Sequence, residues 1–211
     1  MDVVGSKSMT VEAEVASALA EVLRRLEFEN VRIHLNHRAL LRALIERAEI
    51  PVAKESDALI AIDKLDKIGQ EGVARELEAR GIEAGSIATL MQMLSIETTG
   101  SPGSYTNEAT LGMLEEHLGD LESGRTAIDE LRQVLRYAEG SPASPLLYVD
   151  PYLARGLSYY TGPIFEIRSD DFSGSLGGGG RYDGLVGMFT NQDVPACGFS
   201  LGVERILVLM A

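Results

Sequence analysis

Apolar side chains recur at helical spacing early in the chain, at Val11, Val15, Ala18, Leu19, Val22 and Leu26. That spacing lays an apolar stripe along one helix face. Thr10 stands where a hydroxyl could cap the helix, and Glu12 sits near its start. The run 31–35, Val-Arg-Ile-His-Leu, predicts a short strand, and Leu40, Leu41, Leu44, Ile45 and Ala48 predict a second helix. Helix, strand, helix is the pattern of a layered α/β or α+β domain.

Pro51 ends this segment, and up to Gly140 the pattern predicts only helices. Leu59, Ile62 and Leu65 mark one. Val73 and Leu77 mark another, stopped by Gly81. Ile87, Leu90, Met91 and Leu94 mark a third, and residues 98–104 read as a loop. Asn107 is placed to cap a fourth helix bearing Leu111, Leu114 and Leu118, and Ile128, Leu131, Leu135 and Ala138 mark a fifth. Ser141-Pro142-Ala143-Ser144-Pro145 breaks the chain again, and strand and glycine patterns follow. Residues 146–150, 163–168 and 196–202 predict strands, 174–180 is glycine-rich, and 203–210 predicts a helix. The expected division is 1–50, a helical insertion at 51–140, and 141–211.

Composition changes this picture in two ways. The net charge is −13, which argues against a broad phosphate-binding face. The charge is uneven: residues 51–140 carry 17 acidic and 8 basic side chains, against 15 and 11 elsewhere. The single cysteine, Cys197, excludes an internal disulfide framework and fits a reducing, cytoplasmic setting. No basic leader or bilayer-length apolar run is seen, so neither secretion nor membrane insertion is expected.

Three stretches could carry chemistry. Arg155-Gly156-Leu157-Ser158-Tyr159-Tyr160 offers a planar cation for a carboxylate or phosphate, and two phenols for a small heteroaromatic ligand. A turn with a salt-bridged arginine and surface tyrosines explains it as well. Gly177-Gly178-Gly179-Gly180-Arg181-Tyr182-Asp183-Gly184 suits a strand against which something flat lies, or else a flexible loop or bulge. It is not a P-loop, since no Gly-Lys-Ser/Thr follows. In Cys197-Gly198-Phe199-Ser200-Leu201-Gly202-Val203-Glu204-Arg205, Gly202 could expose backbone to a purine and Arg205 could stack on that ring. Solvated helix-start charges are the alternative. His34 and His37 are spaced like metal ligands, but the expectation is that they point apart and are solvated or capping, with no metal.

Taken in order, these stretches resemble the histidyl-tRNA synthetase family. The Arg155–Tyr160 stretch is similar to its first histidine-specific motif, and Gly179-Gly180-Arg181-Tyr182-Asp183-Gly184-Leu185-Val186 to its second. The stretch 198–205 resembles motif 3 of class II synthetases, and Asp63-Lys64-Leu65-Asp66-Lys67-Ile68-Gly69 the family's helical insertion. Asp2-Val3-Val4-Gly5, followed by Glu12-Ala13-Glu14, resembles the last strand of motif 2 and the helix after it. The resemblance implies an α+β fold, a mostly antiparallel class II sheet flanked by helices, with an all-helical insertion. It implies ATP-dependent activation of histidine to histidyl-adenylate and transfer to tRNA, with histidine, ATP and tRNA(His) as partners and Mg2+ accompanying the nucleotide. It leaves a homodimer open.

By the same resemblance, Arg155 would contact the histidine carboxylate and the α-phosphate. Asp2 and Tyr160 would hold the imidazole, and Tyr159 would support the pocket. Gly178, Gly179 and Gly180 would floor it. Gly202 and Arg205 would take the adenine and triphosphate. Ser158 stands where many members have aspartate. Motif 1 and most of motif 2 are expected before Met1, and an anticodon-binding domain after Ala211. The chain is therefore read as a fragment, a truncated paralogue or part of a split protein, with little activity alone. Two other function classes stay open. One is a histidine-sensing paralogue such as the regulatory subunit of ATP phosphoribosyltransferase. The other is a helical interaction protein built on the acidic middle.

Overall fold

The computed structural model describes residues 1–95, 106–155, 159–190 and 192–210. The expected loop at 98–104 and Ser158 lie outside them. By compactness the chain falls into two units. The first comprises Met1–His37, Asp129–Asp150 and Leu157–Ala211; the second comprises Arg38–Ile128 and Pro151–Gly156. The sequence breaks at Pro51 and Gly140, whereas these units divide at Arg38 and inside the helix Glu122–Ala138.

The first unit holds a six-stranded sheet. Its strands are β1 (Asp2–Val4), β2 (Val31–His37), β3 (Leu147–Val149), β4 (Pro163–Ser169), β5 (Phe172–Arg181) and β6 (Ala196–Leu201), in the order β1-β6-β5-β4-β2-β3. Every pairing is antiparallel except β2 with β3. The expected mostly antiparallel α+β architecture is the one observed. Ile33, Leu35, Phe165 and Ile167 are buried on strands whose Arg32, His34, Glu166 and Arg168 are less so, the two-residue alternation of a pleated sheet.

Helix α1 (Thr10–Arg25) buries Val11, Val15, Leu19 and Leu23. The expected stripe ran through Val22 and Leu26 instead. Val22 is exposed, because the steps from Val15 to Leu19 to Leu23 hold one face while Val22 falls off it. Thr10 is not the cap. Met9 holds that position without a side-chain bond, and Ser8 Oγ accepts from the Thr10 N–H at 3.3 Å. Glu12 is fully buried, which no amphipathic pattern predicts.

In the second unit α2 (Arg38–Arg47), α3 (Glu55–Ile62), α4 (Leu65–Ala79), α5 (Ala84–Leu94) and α6 (Asn107–Leu118) follow one another. Helix α7 (Glu122–Ala138) is the one that the division cuts. Leu40, Leu41, Ile62, Leu77, Leu90, Leu111 and Leu118 are among the fully buried large side chains of the second unit. Leu65 does not continue the helix of Leu59 and Ile62; the chain turns at Asp63 and Lys64, and Leu65 opens α4. Thr106, not Asn107, caps α6, its hydroxyl accepting from the Ala109 N–H at 3.2 Å. Arg80 pairs with both Glu76 and Asp57, and Lys64 joins Glu76. These bridges engage two of the segment's acidic side chains, Glu76 and Asp57. On α7, Val134 rather than Leu135 is buried.

The two histidines are not solvated. His34 shares a 2.9 Å hydrogen bond with Asp150, and His37 one of 2.7 Å with Glu130. They lie three residues apart on β2 and so face opposite ways.

Candidate functional site

Register places the site. Asp2 lies opposite Gly198, Gly198 opposite Gly180, and Gly178 opposite Ser200. These positions share one sheet face. There a cleft of about 300 Å³ is lined by Asp2, Tyr159, Tyr160, Gly178, Gly179, Tyr182, Leu185, Gly198, Phe199 and Ser200. Its floor is backbone, because Gly178, Gly179 and Gly198 are all buried and carry no side chain; Gly180 follows them in β5, against the Tyr160 ring.

The glycines are sterically required. A Cβ on Gly179 would lie 1.9 Å from the Gly198 carbonyl oxygen and 2.6 Å from Phe199 Cα. A Cβ on Gly198 would lie 2.1 Å from Asp2 Oδ1. Bare backbone at 198 is what lets the Asp2 carboxylate lie across β6. Helix α8 (Asp183–Thr190) follows β5 directly, and Tyr182 sits at that corner. Its phenol donates to Asp2 Oδ1 across the intervening strand. Burial, then the bond to Asp2, raises the Tyr182 pKa well above the ordinary phenol value, so it is a neutral donor at neutral pH.

Three rings meet here. Tyr159 is tilted against Tyr160 with centroids 4.7 Å apart, and meets Tyr182 edge-on at 6.1 Å. Tyr160 is buried, and its ring edge lies 3.0 Å from where a Cβ on Gly180 would be. Tyr159 is 38% exposed, so it forms a wall open to solvent. A carboxylate, a neutral phenol, two more rings and a flat floor suit a small planar ring with an N–H to donate and a lone pair to accept.

The structure therefore brings together Asp2, Tyr159, Tyr160, Gly178, Gly179 and Gly180. Gly202 and Arg205 lie where β6 gives way to α9 (Val203–Leu209). Arg205 folds its stem over Gly202, with Cδ 3.3 Å from where a Cβ would stand, and its guanidinium donates to the Ser175 carbonyl. Arg155 is half-buried in the Pro151–Gly156 segment of the second unit. Among the described residues no cluster of three or more His, Cys, Asp or Glu could cage a metal.

Sequence reasoning did not assign Tyr182, Gly198 or Ser200 to the pocket. For Tyr182 the local hint was an aromatic two residues after the glycine run. Its partner Asp2 lies 180 residues away, so no window of sequence shows the pair.

A family model described as histidyl-tRNA synthetase matches residues 1–206. The histidine–tRNA ligase of Gloeobacter violaceus is 41% identical over 212 residues, covering 99% of this chain and 44% of that protein. That of Aeropyrum pernix is 40% identical over 207 residues, covering 98% and 45%. The crystal structure of histidyl-tRNA synthetase from Nostoc sp. PCC 7120 superposes with a TM-score of 0.84 at 28% identity, covering 99% of this chain and 49% of that one. A structure described as an ATP phosphoribosyltransferase regulatory subunit/histidyl-tRNA synthetase from Bacillus halodurans shares the fold, with a TM-score of 0.79 at 22% identity. The chain spans about half the length of the curated relatives it matches. With fold and sequence in agreement over nearly its full length, the chain belongs to the histidyl-tRNA synthetase family.

Proposed function

We propose that this chain supplies the histidine-recognising part of a histidine–tRNA ligase active site. The ligase would activate histidine with ATP to histidyl-adenylate and transfer it to tRNA(His). The observation that carries this reading is the Asp2–Tyr182 pair set over a glycine floor beside Tyr159 and Tyr160. Asp2 would accept one imidazole N–H. The Tyr160 phenol would donate to the other ring nitrogen, while the single O–H of Tyr182 stays on Asp2 and orients its carboxylate. A side chain without that pattern would cover those polar groups and leave them unpaired, and such sites reject it strongly.

Arg155 would hold the histidine carboxylate and neutralise charge as that oxygen attacks the α-phosphorus and pyrophosphate leaves. Gly202 and Arg205 would take the adenine and triphosphate, Arg205 exchanging the Ser175 carbonyl for phosphate oxygens. Magnesium would arrive with the nucleotide and screen its phosphates.

Calorimetry with histidine and then ATP tests the proposal. Histidine binding that is lost in Asp2→Ala and Tyr182→Phe, together with nucleotide binding, supports it. Histidine binding with no nucleotide binding supports a histidine sensor instead, and binding of neither ligand overturns both. Arg155→Ala is expected to lower histidine-dependent pyrophosphate exchange by about 10²–10³-fold. Unchanged exchange would remove the role given to Arg155.

A further inference from the structure

Behind the cleft floor, on the opposite face of the same sheet, lies a cation that substrate binding does not use. Arg181 is 3% exposed and Glu12 fully buried. Arg181 Nε donates to Glu12 Oε1 at 2.5 Å, and Nη2 to Glu12 Oε2 at 2.8 Å. Nη1 donates to the Ser6 carbonyl at 3.0 Å and to Asp183 Oδ1 at 3.1 Å, and Nη2 to the Ser8 carbonyl at 3.4 Å. A guanidinium has five N–H donors, and all five are engaged. Burial alone would lower the Arg181 pKa, but Glu12 and Asp183 more than offset it and hold the cation above its ordinary value.

The partners say what the cation does. β1 carries Asp2, β5 runs into Tyr182, and β6 separates them, so no strand pairing joins the two. Two bridges cross β6 instead. On the cleft face Asp2 meets Tyr182 over Gly198. On the other face Arg181, in register with Cys197, reaches the turn that follows β1. A Cβ on Gly162 would come within 2.9 Å of Arg181 Cδ, so the chain also leaves room for the stem. Buried ion pairs are weak sources of net stability, and fixing register is among their best-attested uses.

We propose that Arg181 is a positioning residue: its five-bond clamp sets β1 against the β5–α8 corner and thereby fixes the spacing of Asp2 and Tyr182 that reads the imidazole. This rests on the cleft being the histidine pocket. Lysine keeps the charge but has three donors and no fork, so it cannot hold every partner.

The test combines tyrosine ζ-carbon NMR with titrations of histidine and of thienylalanine, a ring isostere without nitrogen. In Arg181→Lys the Tyr182 resonance should move toward its position in Asp2→Ala. Histidine binding should weaken by about ten- to a hundredfold, and the preference over thienylalanine should shrink. Tyr182→Phe added to Arg181→Lys should cost less than the two singles combined. An unmoved Tyr182 resonance overturns the proposal, as does equal weakening for both ligands. If Arg181→Lys does not fold, Asp183→Ala removes one of the five acceptors. It should shift the Tyr182 resonance in the same direction by less, and no shift there overturns the proposal too. A wild-type chain that binds no histidine sinks the pocket reading, while the resonance still decides whether Arg181 sets the pair.

Discussion

At the scale of single residues, two buried groups in the sheet govern what the protein tolerates. Gly179 faces backbone that cannot yield, so Gly179→Ala must force β5 from β6. The expected loss is at least about 2 kcal/mol by urea denaturation. Cys197 is fully buried, and burial, then nearby Glu12, raises its thiol pKa well above the ordinary value near 9. Below pH 9 folded and unfolded chains both keep that proton. Above it the unfolded thiol ionises first, so the native state binds more protons and stability falls as pH rises. Tyr182 adds the same sign above its ordinary value near 10. Urea midpoints are therefore expected to decline from pH 9 upward. Cys197→Ala should remove the thiol's share of the decline from pH 9 upward and leave the Tyr182 share above pH 10.

At the scale of elements, the end of α4 shows how a local signal becomes structure. Gly81 has φ +73°, the Gly81 N–H donates to the Glu78 carbonyl at 2.9 Å, and the Ile82 N–H to Leu77 at 3.1 Å. Both bonds need the left-handed turn, and Leu77 and Ile82 are buried where it closes. Gly81→Ala should cost about 1 kcal/mol, and Leu77→Ala about 2–5 kcal/mol, in denaturant titrations. Gly81 was legible in advance because the glycine rule is local, and the helices were legible because their apolar residues repeat. Caps were less so: at Thr106 and Asn107 two adjacent residues can each cap, and backbone geometry at the helix start decides. Glu12 was read only as a residue near a helix start, since its partner Arg181 lies 169 residues along the chain. The glycine run was legible as a floor, but the carboxylate and phenol above it join only when β1 and β5 flank β6.

At the scale of the whole molecule, each of the two units carries its own buried apolar set, Leu19, Leu23, Ile33, Leu35 and Phe165 in one and Leu40, Leu77, Leu90 and Leu111 in the other. Calorimetric scans are expected to resolve two transitions. Histidine at a hundred times its dissociation constant should stabilise the unit that holds the cleft by about 2.7 kcal/mol and raise that transition. A shift of the helical unit only would count against the site. Among the described residues no helix is long and apolar enough to cross a membrane. The chain has seven tyrosines and no tryptophan, and three of those tyrosines crowd the cleft. No indole masks their emission. The protein thus carries a built-in optical gauge: near-ultraviolet dichroism and native fluorescence should register a guest among the rings without any attached dye.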